Sequence, residues 1–120
     1  MAISREEIEQ IAAEVAKRVV TPEALCRCGY NTMSAVASWE STRRAIDNKD
    51  RKSAEEELEK FKQDINDVEQ TCWVSLDPVF NSLGDTSKSI AAADWPMAAD
   101  YMLKAMIIIE DTLRQTAKLP

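Results

Sequence analysis

Ala54, Leu58, Phe61, Ile65, Val68 and Cys72 follow one another by alternating steps of four and three residues. On an α-helix that spacing puts all of these side chains in one row. Glutamates and lysines take the opposite side, with Glu56 and Lys60 at the favourable i,i+4 separation. A row this regular has to be buried against a second helix, because most of a helix's stability comes from packing its apolar face. The partner is indicated by what comes before. Asp47, Asn48 and Asp50 are turn- and cap-forming residues, so the segment ending near Asp47 is expected to fold back as an antiparallel neighbour. That turn fixes a register: Trp39 opposes Phe61, Ala35 opposes Ile65, and Cys28 opposes Cys72 with Cys26 close by.

The rest of the chain punctuates in the same manner. Ser4 and Glu7 form a capping box for a first helix whose stripe is Ile8, Ile11, Ala12, Val15 and Val19, ended by Thr21-Pro22. Residues 22–30 read as a short helical turn broken at Gly29. Asn31 or Thr32 then caps a helix that runs to about Asp47 and turns Val36, Trp39 and Ile46 inward. Pro78 restarts the helical pattern after the third helix, and Val79, Phe80 and Leu83 continue it to Gly84, the expected C-cap. Asp94 ahead of Trp95-Pro96 marks the last helix, about residues 96–117. Only two glycines and four prolines are present, which leaves little turn chemistry for a sheet of several strands. No internal repeat recurs. The chain therefore reads as a single domain, residues 1–120, folded as an all-α antiparallel bundle of four main helices with a short additional helix near residues 78–92.

Charge and composition remove several function classes. Acidic residues outnumber basic ones by 21 to 15, and the net charge of −6 opposes nucleic acid. The cluster Arg43, Arg44, Lys49, Arg51 and Lys52 is interrupted by Asp47 and Asp50 and followed by Glu55, Glu56 and Glu57, the pattern of a solvated tip. Charges interrupt the N-terminal segment throughout, so it lacks the apolar centre of a signal peptide. The longest apolar run, "MLKAMIII", contains Lys104 and falls well short of the ~20 residues of a membrane helix. The expectation is a cytoplasmic protein that does not enter membranes. Histidine is absent, which excludes Ser–His and Cys–His pairs, HExxH sites and the Glu-x-x-His pairs of di-iron bundles. No glycine-rich phosphate loop is present either. No catalytic residue and no cofactor is assigned, and the chain reads as non-enzymatic.

Two features remain as candidate sites. The first is the cysteines. Cys26, Cys28 and Cys72 could be packed thiols, as free cysteines usually are and as a reducing cytosol favours. Cys72 could instead be joined to Cys28 or Cys26 by a disulfide. Together the sulfurs could bind metal, but a fourth ligand is wanting unless Glu23 or a second subunit provides it. Cys26 and Cys28 also point to nearly opposite sides of a regular helix and converge only if Gly29 breaks it. Packed thiols with no metal bound are the expectation. The second feature is the last helix. Its polar stripe, Asp100, Lys104, Asp111, Arg114 and Lys118, is narrow, and Leu103 and Ile107 lie on or beside it. Apolar residues nearly all round mark a helix that is central, or that sits in a subunit interface, or both. The functional expectation is a small acidic protein of interaction or self-assembly, a homodimer covering Leu103 and Ile107, with a further protein partner open. Two alternatives belong to other classes. One is a redox or metal-handling module built on the cysteines. The other is a small-molecule sensor with a cavity lined by Trp73, Trp95, Met97, Met102 and Met106.

Overall fold

The computed structural model describes residues 6–11 and 22–118, with side chains described over 27–115 in the second stretch. These residues hold five helical segments: α1 over residues 6–11, α2 Pro22–Asp47, α3 Arg51–Cys72, α4 Asp77–Ala91 and α5 Trp95–Lys118. No strand occurs among the described residues, and the fold is all-α. The additional helix expected near residues 78–92 is α4, with proline in its first turn. Ser4, Ala12, Val15, Val19 and Thr21 lie outside the described residues. Ile8 and Ile11 do not, and both are buried.

Helices α2, α3 and α4 each end for a local, identifiable reason. At the end of α2, Lys49 adopts φ 55°, and the amides of Lys49 and Asp50 donate to the carbonyls of Ile46 and Ala45, each at 3.0 Å. That is a Schellman motif. The next residue, Asp50, already caps α3 by accepting the Ser53 amide at 3.2 Å. The α4–α5 connection repeats the device. Ala93 adopts φ 56°, its amide and that of Asp94 donate to Ile90 and Ser89, and Asp94 accepts the Met97 amide at 3.3 Å. Trp73 closes α3 in the same left-handed conformation, its amide donating to Glu69 O at 3.1 Å. The Glu69 carboxylate reaches on to the Leu76 amide at 2.6 Å and so holds the connection into α4.

The glycines are not where chain punctuation suggested. Gly29 does not break α2, which runs through it from Pro22, and Asn31 and Thr32 are interior rather than capping. Gly84 is not a C-cap but lies within α4. Local propensity yields here to packing, because buried residues flank each glycine within its helix: Cys28 and Thr32 around Gly29, Leu83 and Thr86 around Gly84. Apart from its own neighbours along the helix, neither glycine has an atom within 4 Å of where a Cβ would stand.

Packing follows the expected seam. All of Ala54, Leu58, Phe61, Ile65, Val68 and Cys72 are buried, Phe61 completely. The facing side of α2 is Cys28, Thr32, Ala35, Val36, Thr42, Ala45 and Ile46. Cross-links in the antiparallel sense confirm the hairpin: Asn31 Nδ2 donates to Thr71 Oγ1 at 3.1 Å, and Ser38 Oγ donates to Asp64 Oδ2 at 2.6 Å. α4 and α5 form a second antiparallel hairpin that packs on the first, α4 against α3 and α5 against α2. The indole of Trp39, partly buried against the core, donates to Met102 O of α5 at 2.8 Å and ties the hairpins together. The 26 residues of α2, about 39 Å at a helical rise of ~1.5 Å each, account for most of the molecule's 44 Å length.

These observations set opposite expectations for core and turn substitutions. Phe61→Ala should destabilise by about 3–5 kcal/mol through lost burial and an unfilled cavity. Ala93→Gly relieves a left-handed alanine and Gly84→Ala removes backbone freedom from a helix interior, each gaining about 1 kcal/mol. Urea unfolding followed by circular dichroism measures all three, and a loss in either turn or helix variant would contradict the assigned conformations.

Candidate functional site

At one end of the α2–α3 hairpin Cys28 and Cys72 are joined in a disulfide with Cα atoms 4.9 Å apart. Neither residue is exposed. The expected register brought these residues together, but the expectation of packed thiols is overturned: their sulfurs are bonded. The Cα separation lies in the ordinary range for a disulfide. Thr32 lines the bond, its hydroxyl donating to Cys28 O at 2.8 Å and lying 3.7 Å from Cys72 Sγ. The side chain of Cys26 lies outside those described. With two sulfurs spent on each other, Cys28 and Cys72 are not thiolate ligands in this state. Among the described residues no three metal-binding side chains converge.

The bond continues into a polar lacing that the apolar pattern missed. Thr32, Ser38 and Thr42 are buried between α2 and α3. Thr42 Oγ1 donates to Ser38 O at 2.7 Å and Thr71 Oγ1 to Asp67 O at 2.8 Å. A helical Ser or Thr can satisfy its hydroxyl on the carbonyl four residues back, so it can enter a seam at little cost. Counting Cys28, Thr32, Ala35, Trp39, Thr42 and Ile46 as one row restores the alternating four-three spacing and would have revealed α2 as unbroken.

The second candidate is the outer side of α5. Ala98, Met102, Ala105, Met106, Ile109 and Leu113 fill the core from its inner side. Leu103 is half-buried, and Ile107 is 36% exposed. Lys104, exposed, lies over the Tyr101 ring with its ammonium 5.1 Å from the centroid. Toward the C-terminal end, Glu110 is buried and accepts Arg114 Nε at 2.7 Å, and Arg114 also pairs with Glu7 of α1. This clasp fastens α1 to α5. Glu110 does not belong to the polar stripe read from the sequence; it was missed because an inward carboxylate is legible only once Arg114 is seen beside it.

The tryptophans and methionines do not converge on one cavity. Met102 and Met106 are core residues, Met97 is 39% exposed and Trp73 is 66% exposed. Trp73 borders a surface hollow with Arg27, Gln70 and Thr71, whereas Trp95 borders one of about 290 Å³ with Ile46, Pro96 and Ala99 near the α2–α3 turn. In the basic cluster, Arg44, Lys49, Arg51 and Lys52 are exposed. Arg43 instead lies over Trp39, 5.7 Å from the ring centre, and its Nη2 is 3.9 Å from Asp47. Among the described residues no helix is long and apolar enough to cross a membrane. No family model, curated protein or solved structure matches the chain.

The disulfide makes a direct chemical prediction. In denaturant without reductant, alkylation should modify Cys26 alone, and after reduction all three cysteines. Reduction, or replacing Cys28 and Cys72 by alanine, should lower stability by about 4 kcal/mol, the chain-entropy value for a closed loop of this length. Mass spectrometry reads the first and denaturant unfolding the second. Alkylation of Cys28 or Cys72 before reduction would contradict the pairing.

Proposed function

We propose that this is a non-enzymatic helical assembly protein that self-associates through the outer side of α5. The observation that carries the reading is Ile107, an exposed β-branched side chain beside half-buried Leu103 on a helix whose other side is already committed to the core. Ile107 and the exposed part of Leu103 leave apolar area in water on this side of α5, and a second surface would remove that area from solvent. The partner is a second copy of the chain, and other proteins could use the same strip. Nucleic acid is a poor partner for a chain of net charge −6.

A second reading, a cysteine-based redox module, draws on the Cys28–Cys72 bond and on Cys26 two residues away. Complete burial of the bonded residues favours a structural staple over a catalytic disulfide, which must meet an attacking thiolate. The staple bears on location too. A cytoplasmic setting stays in the proposal only for an organism whose cytosol sustains disulfides; otherwise an oxidising compartment fits better.

Sedimentation equilibrium over a wide concentration range tests the main reading. Wild-type protein should form dimers, and Ile107→Asp should weaken the dimer by at least about tenfold, for an uncompensated charge in an apolar contact, with helicity unchanged. A wild-type chain that stays monomeric at the highest concentrations would refute it.

A further inference from the structure

We infer that two copies of the chain meet through α5 in antiparallel orientation, about a two-fold axis at Ile107, with specificity set by the charges that flank it. The inference rests on the proposed self-association through α5 and adds its geometry.

Asp100, Leu103, Lys104, Ile107, Asp111 and Arg114 fall within about 100° of arc on one side of the helix, at 100° per residue. Ile107 is at the middle. About one turn to either side stand Lys104 and Asp111, of opposite sign, and about two turns to either side stand Asp100 and Arg114, again opposite. The charges thus alternate along the strip and change sign under reflection through Ile107. Asp100, Lys104 and Asp111 are exposed, and the Arg114 side chain is 39% exposed.

This antisymmetry decides the orientation. An antiparallel pair with its axis at Ile107 puts Lys104 of each chain against the partner's Asp111, and Asp100 against the partner's Arg114. A two-fold axis doubles every contact, so both pairs occur twice. A parallel pair would set Lys104 against the partner's Lys104 and Asp111 against the partner's Asp111, which like-charge repulsion disfavours. Arg114 already holds Glu7 and Glu110 within its own chain, so Lys104 and Asp111 carry most of the discrimination. At the axis Ile107 meets its own symmetry mate, and Leu103 is covered beside it. A single helix pair buries an area at the low end of specific interfaces, roughly 1,000 Å² in total. The dimer is accordingly concentration-dependent.

Charge exchange on the full chain tests the geometry, read by sedimentation equilibrium with helicity checked by circular dichroism. Lys104→Glu and Asp111→Lys, each alone, turn two attractive contacts into repulsive ones and should raise the dimer dissociation constant about tenfold. The double variant K104E/D111K restores opposite charges across the axis and should return to within about threefold of wild type. If wild type dimerises and Ile107→Asp weakens it, but the double variant is as weak as the singles, the antiparallel geometry is wrong while α5 stays the interface. If both single variants dimerise as wild type does, the pairing is likewise overturned. A wild-type chain that never dimerises removes the self-association reading itself.

Discussion

The burial of one row of α3 against one row of α2 is the interaction on which the other parts lean. Phe61 and Ile65 are completely buried near the middle of that seam, and each fully buried side chain of this kind contributes roughly 1.5–3 kcal/mol. The seam also sets position. It places Trp39 where its indole N–H reaches the Met102 carbonyl, so the location of α5 depends on the hairpin being formed. It aligns Ser38 with Asp64 and Asn31 with Thr71, polar pairs that reward one register and would be broken by a slip of one helical turn. Hydrophobic burial supplies the stability of the hairpin, and these hydrogen bonds supply its uniqueness.

The hairpin is closed at both ends by different physics. At the Lys49–Asp50 end a Schellman motif runs directly into an N-cap, so the turn satisfies the last carbonyls of one helix and a first amide of the next within a few residues. At the other end a covalent bond does the work. Cys28 and Cys72 are separated by 44 residues, and joining them restricts the unfolded chain far more than any single turn does. The Ala93–Asp94 turn repeats the Schellman and N-cap combination, which gives both hairpins the same short, stiff connection. Non-glycine residues take the left-handed position in each case, a local strain that the packed helices on either side sustain.

α5 has a double burden. Its inner side fills the core from Ala98 to Leu113, and Arg114 at its far end secures α1 through Glu7 while satisfying buried Glu110. Its outer side offers Ile107 framed by charges of alternating sign.

What the sequence determined by itself was periodic and local: helix existence, the α3 seam, the caps at Asp50 and Asp94, the restart at Pro78, and the register that set Cys28 against Cys72. Those follow from spacing and from side chains that act on their own backbone. Gly29 and Gly84 misled because helix propensity is a weak local term, overridden where the neighbouring turns of the helix are buried. Thr32, Ser38 and Thr42 were passed over because polarity was read as exposure, although their hydroxyls find partners within the helix. Leu103 and Ile107 were picked out by pattern, but their different degrees of burial came only with the packing of α5. Whether Cys28 and Cys72 come close enough to bond, and whether Glu110 points inward, depends on distances between residues far apart in the chain. Only the tertiary structure decides such matters, because sulfur bonding and charge pairing act over a few ångströms that sequence separation does not encode.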